Sequence, residues 1–196
     1  MIAKSLIRVI SPLGTVHDRT ARSLYFKASP PSMSEPRPGN DGEPLPDGEW
    51  VSRTWKRKFI SKDGAIGELL FMPTTEDKKD PRHRLSVWVE RLTTEENAFL
   101  LSNTTSAEAI LVRLNVDDVR GIRPQPDSID VPHLQAEWHP LIHPDGKGGS
   151  IPDTRPGASG HSGIRDLLFG SKLQRRSLRV QLAELAQQEF ILRTAQ

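Results

Sequence analysis

Two stretches of this 196-residue chain cannot continue a helix or a central strand, and they fix where an ordered body can lie. Ser29 to Gly48 (SPPSMSEPRPGNDGEPLPDG) places six prolines in 20 residues with no hydrophobic period, and reads as a linker or long surface loop. Pro144 to Gly163 (PDGKGGSIPDTRPGASGHSG) holds six glycines and three prolines and reads as a second loop. The expected organisation is a basic segment over 1–28, a Pro-rich linker or loop over 29–48, a core over 49–143, a Gly/Pro-rich loop over 144–163 and a helical segment over 164–196.

Hydrophobic residues make up 35% of the chain and proline 16 positions, so a packed core and solvated loops must coexist. A chain of this length buries roughly 70% of its unfolded surface and needs no covalent staple. The absence of cysteine excludes a disulfide framework, thiolate metal sites, iron–sulfur ligation and cysteine nucleophiles, and points to the cytoplasm. Lys and Arg number 27 against 25 Asp and Glu, leaving a net charge of +2, so any attraction to nucleic acid has to be local. The apolar run Ile2 to Ile10 is broken by Lys4 and Arg8, and no window approaches the roughly 18 apolar residues of a membrane span, so no membrane partner is expected. The cations Lys4, Arg8, Arg19, Arg22 and Lys27 against the single acid Asp18 read as a basic ordered flank in preference to a transit peptide.

Ala65 to Met72 and Leu85 to Glu90 read as strands. Thr93-Thr94-Glu95-Glu96 matches a capping box with Thr93 as the N-cap, opening a short helix to about Leu101. Ala109 to Leu114 is an apolar run of strand length, and Asn115 caps one turn that stops at Gly121. Val131 to His139 alternates, with Leu134, Ala136 and Trp138 on one face and His133, Gln135, Glu137 and His139 on the other. No Gly or Pro follows Gly170, so a long helix should close the chain. The expected class is α+β, a small mixed or antiparallel sheet with short helices and a long C-terminal helix.

The succession of Asp63-Gly64, Leu85-Ser86-Val87, Thr93-Thr94-Glu95-Glu96, Ile110 to Leu114, Val119 to Ile122 and Pro132-His133 resembles small uncharacterised bacterial proteins of accessory type, over about residues 49–138. The resemblance implies a partner of larger genes, some in mobile-element or defence neighbourhoods, with no established activity. The N-terminal extension, the Gly/Pro-rich segment and the C-terminal helix depart from that pattern.

His133, His139, His143 and His161 fall within 29 residues, with Glu137 among them. On a strand Glu137 and His139 point the same way about 6–7 Å apart, and Pro140 can turn His143 back toward them. Glu137, His139 and His143 are therefore the candidate ligands of a divalent metal with an open position for water, which would license hydrolysis. The alternative is a solvated strand edge, since HExxH is absent. No other cofactor is expected. His133 is the candidate catalytic residue; its alternative is a structural bond to a backbone carbonyl. Gly146 to Gly149 matches neither nucleotide fingerprint, and Ser159 and Ser162 lack the glycine of a nucleophile elbow, so GASGHSG reads as a flexible loop.

Trp50 to Lys62 interleaves Arg53, Lys56, Arg57 and Lys58 with Trp50, Trp55 and Phe59, the combination that stacks bases and holds phosphates of single-stranded nucleic acid. The alternative is that the aromatics are core and the cations merely solvated. The C-terminal helix is expected to carry a main apolar stripe (Leu178, Leu182, Leu185, Leu192), a second set on nearly the opposite side (Leu173, Val180, Ile191), and a basic stripe containing Arg175, Arg176 and Arg179. The second set asks for a protein partner or a second copy of the chain, with the arginines at the rim, or for cover by the N-terminal segment or linker. The functional expectation is a non-enzymatic interaction or accessory protein docking through this helix; the alternative is a metal-assisted hydrolase or nuclease.

Overall fold

The computed structural model describes residues 37–56, 60–61, 64–104, 109–123 and 133–193. In chain order the elements are β1 (Trp50–Lys56), a 3-10 turn (Glu68–Phe71), α1 (Thr75–Lys79), β2 (Leu85–Val89), α2 (Glu95–Leu101), β3 (Ala109–Asn115), α3 (Val116–Gly121), β4 (Gln135–Trp138), a hairpin of β5 (Ile142–Pro144) and β6 (Ser150–Pro152), β7 (His161–Arg165), α4 (Lys172–Ala186) and β8 (Phe190–Arg193). Six strands form one antiparallel sheet in the order β4-β7-β2-β1-β3-β8, so the fold is α+β as expected. No helix among the described residues is long and apolar enough to cross a membrane.

Strand alternation divides the apolar side chains between two faces. Val51, Val87, Val89, Ile110, Val112, Leu114 and Ile164 join the large core with Leu178 and Leu182 of α4, Val119 of α3, and Leu70 and Phe71 of the 3-10 turn. Trp88, Ala109 and Leu111 form a smaller cluster with Ala98 and Phe99 of α2. Helix starts follow their caps: Ser171 and Gln174 close a capping box on α4, and the Asn115 side chain accepts from the Asp117 amide at the start of α3. At α2 the cap is Thr94, which accepts from the Asn97 amide, whereas Thr93 donates to the Gly157 carbonyl. Of two adjacent threonines, tertiary contact takes the first and leaves the second to cap.

Three further sequence expectations are corrected. Ala65 to Met72 is an isolated bridge at Ile66 followed by the 3-10 turn, because Leu70 and Phe71 must both face the large core, which strand alternation would forbid. The Gly/Pro-rich loop contains the β5–β6 hairpin and β7, and β7 lies inside the sheet between β4 and β2. Gly160 and Gly163 are required by close approach: a Cβ at Gly163 would lie 2.5 Å from the Cβ of Arg84, and one at Gly160 would lie 2.1 Å from the Thr93 hydroxyl. The C-terminal helix ends at Ala186, and the chain returns as the edge strand β8, so Ile191 and Leu192 are not helical. The end of the Pro-rich stretch is structural: amides of Gly42 and Leu45 donate to the carbonyls of Trp138 and Ala136, covering the outer edge of β4. The basic segment 1–28 lies outside the described residues.

Candidate functional site

The sheet forks. β1 pairs with β2 only at Val51↔Val89 and Ser52↔Trp88, whereas it pairs with β3 along its whole length, and β2 pairs with β7 from Leu85 to Trp88. Beyond Ser52 the backbone of β2 facing β1 has lost its strand partner, and buried backbone groups must be satisfied by something else. Side chains replace the missing ladder. Arg53 Nη1 donates to the Ser86 carbonyl at 2.7 Å, and the Ser86 amide donates to Asp77 Oδ1 at 3.1 Å. Arg53 Nε donates to the Leu70 carbonyl at 3.0 Å, tying the fork to the 3-10 turn.

Asp77 is set by local sequence. Thr74 and Asp77 form a capping box on α1, with the Thr74 amide donating to Oδ2 at 2.7 Å, and the Ser86 hydroxyl donates to Oδ1 at 2.7 Å. Burial raises the Asp77 carboxyl, but the Arg53 charge and the bonds from Thr74 and Ser86 outweigh it and hold the group below its ordinary range. Arg53, 3% exposed, approaches Asp77 Oδ2 only to 3.8 Å, and its Nη2 has no hydrogen-bond partner among the described residues. Burial pushes the guanidinium down to about 10 against the opposing pull of Asp77.

A cavity of about 630 Å³ opens in this fork, bordered by Arg53, Asp77, Ser86, Trp88, Thr104 and His161, with Trp55, Leu101 and Leu141 as its apolar walls. The Trp55 ring lies 4.7 Å from the central guanidinium carbon of Arg53. Trp88 donates to the Ser102 hydroxyl at 3.0 Å and meets the His161 ring edge-on at 4.9 Å. His161 donates from Nδ1 to the His139 carbonyl, which leaves Nε2 as an acceptor with no hydrogen-bond partner among the described residues. Burial, and then the neighbouring His139, push His161 down to about 4, so the ring is neutral at pH 7.

Next to the cavity lies a second buried network. Arg84 crosses Gly163 to bind Asp80 through Nε at 2.8 Å and Nη2 at 2.9 Å, and reaches Asp41 at 2.6 Å and the Trp138 carbonyl at 3.2 Å. Glu137 sits among Arg82 at 2.9 Å, Arg84 at 3.4 Å and Arg165 at 3.6 Å.

The three candidate metal ligands thus take different partners. Glu137 is enclosed by arginines, the His139 ring lies tilted against that of His161 with centroids 4.8 Å apart and Nε2 3.9 Å from Asp80, and His143 Nε2 lies 2.9 Å from Asp153. Among the described residues no group of three or more His, Asp or Glu could hold a metal ion. His133 meets the Arg120 carbonyl through Nδ1 at 2.8 Å, the geometry of the structural alternative. Arg53 is not a surface cation: alternation along β1 gives it the face of Val51 and Trp55. Lys56 closes β1, while Arg57 and Lys58 lie outside the described residues. On α4, Leu173 is 78% and Val180 37% exposed, Arg175 is half-buried, and Arg176 and Arg179 approach Glu68 at 3.0 and 3.8 Å. Ile191 is corrected from the helix to β8, where it packs against the Trp88 cluster.

Comparisons of the chain with protein-family models, curated proteins and solved structures gave no match. Sequence reasoning missed Asp77, Ser86, Trp88 and the cavity. One signal was present: in WVSRTWK the period of two puts Arg53 beside Val51 and Trp55, a cation on a core face.

Proposed function

We propose that the protein is a non-enzymatic binding module that takes a small molecule into the fork between β1 and β2. One observation carries this reading: Arg53, a buried cation in the cavity floor, keeps Nη2 without a hydrogen bond, and its nearest anion, Asp77, stays 3.8 Å away with each carboxylate oxygen bonded to other donors. An unsatisfied buried charged donor is costly, and such groups gather at sites awaiting a ligand. The size and the mixture of apolar walls with few polar groups suit a drug-sized molecule. Catalytic use has less support: among the described residues His161 has no hydrogen bond to a hydroxyl that it could activate. The test is a melting screen of small molecules on the full chain and on Leu141→Trp, which fills one wall. A ligand at about 100 times its Kd should add about 2.7 kcal/mol to the wild type, and the gain should vanish in Leu141→Trp. Equal gains in both proteins, or no stabilising molecule at all, would refute the reading.

A second reading, docking through α4, is favoured by the exposure of Leu173 and Val180 on one side of that helix. The occupant that fits is a second copy. Arg176 and Glu184 lie four residues either side of Val180, so an antiparallel twofold centred there would face each arginine with the partner helix's glutamate. Light scattering on the full chain should give twice 21.9 kDa, and Val180→Asp should return it to a monomer. A wild-type monomer at 100 µM, on the order of the concentration where a weak interface still closes, would end this reading.

A further inference from the structure

We propose that the molecule held in the fork is a monocarboxylate with a flat apolar body, its acid received by Arg53. This rests on the cavity reading above and adds the chemistry of the ligand. Arg53 uses Nε on Leu70 and Nη1 on Ser86, leaving both N–H bonds of Nη2 unused. Asp77 spends Oδ2 on the Thr74 amide and Oδ1 on the Ser86 amide and hydroxyl. It therefore compensates the charge of Arg53 from 3.8 Å without occupying the free donors. The vacant function is an acceptor for a charged N–H pair, which a carboxylate supplies in the matching planar geometry.

The charge count selects a monoanion. Asp77 already balances Arg53, and of the other charged groups that border the cavity Arg155 is paired with Asp153 while Glu76 adds a negative charge, so a phosphate dianion would bring a second charge with no counter-ion left to receive it. The remaining walls select the body: Trp55, Trp88, Leu101 and Leu141 offer ring faces and aliphatic surface. The free guanidinium nitrogen is closed to solvent, with the Trp55 ring laid beside the group. An acid reaches it by displacing that half-buried ring, so the intrinsic fluorescence of Trp55 should report binding.

The experiment titrates the full-length protein with matched pairs, benzoate against benzamide and indole-3-acetate against indole-3-acetamide, with phenyl phosphate as the dianion. Tryptophan emission and melting temperature are both read. The acids should bind at least tenfold more tightly than their amides and than phenyl phosphate. In Arg53→Lys, which keeps the charge but loses the planar donor pair, the preference for acid over amide should fall at least fivefold. The wild-type acid/amide comparison needs no variant, so a misfolded Arg53→Lys leaves the test intact. Equal binding of acids and amides, or tighter binding of the phosphate, would overturn the carboxylate assignment and leave the cavity reading standing. If no acid, amide or phosphate binds at millimolar concentration, the assignment and the cavity reading fall together.

Discussion

Arg84→Leu should cost the protein roughly 3–5 kcal/mol of folding stability, the usual penalty for leaving one partner of a buried ion pair behind. Leucine keeps much of the volume across Gly163, so the loss is electrostatic more than steric. Asp80 is the residue stranded: its side chain is 5% exposed, and both carboxylate oxygens are held by Arg84 Nε and Nη2. Glu137 suffers less because Arg82 and Arg165 remain beside it. The two effects separate by pH. Arg84 bonds and charge overcome the burial that raises Asp80 and hold its carboxyl far below the ordinary range, so removing Arg84 lets that carboxyl protonate readily. Urea denaturation should therefore show the full deficit at pH 7 and a much smaller one at pH 5. An Asp80→Asn/Arg84→Leu double variant should recover at least half of it at pH 7. A deficit under 1 kcal/mol, or one independent of pH, would mean that this network holds nothing together.

Acid should weaken the fold before the depressed carboxylates Asp77 and Asp80 titrate. His161 is neutral when folded, displaced from 6.5 to about 4 by burial and by His139. His139 is lowered in the same direction, by burial first and by Arg84 next, with Asp80, Asp41 and Asp77 opposing. Above pH 6.5 the folded and unfolded chains bind the same protons at His161, and stability is level with respect to it. Between 6.5 and 4 the unfolded imidazole takes up a proton that the folded one refuses, so stability falls as pH falls. Below about 4 the decrement is complete, and the depressed carboxylates Asp77 and Asp80 take over the loss. At 1.36 kcal/mol per unit the His161 contribution is about 3 kcal/mol. His161→Gln should flatten at least half of the slope between pH 6.5 and 4.5, measured by urea midpoint. An unchanged slope in that variant would show that His161 is not the group responsible.

What was legible in the sequence was whatever depends on neighbours a few residues apart. β2, β3 and the cap of α3 follow from propensity, an apolar run and one asparagine, and the α+β class follows from them. The candidate site was less legible, because its parts come from distant positions: Arg53 from β1, Asp77 from α1, Ser86 and Trp88 from β2, and His161 from β7. The same histidines that cluster along the chain are separated by the fold into a buried ring pair, an aspartate contact and a carbonyl contact.

By itself the sequence determined the absence of cysteine chemistry, the strands β2 and β3, the Asn115 cap of α3 and the presence of a helix near the C-terminus, all of which rest on composition and local period. Tertiary structure alone decided that the glycine-rich stretch becomes β7 and that β1 parts from β2 after Ser52. A glycine is a loop former until a side chain from a distant part of the sequence must sit 2.5 Å from where its Cβ would stand, as Arg84 does at Gly163. A cation is a surface residue until its strand partner departs and leaves a carbonyl for it to bind, as Ser86 does for Arg53.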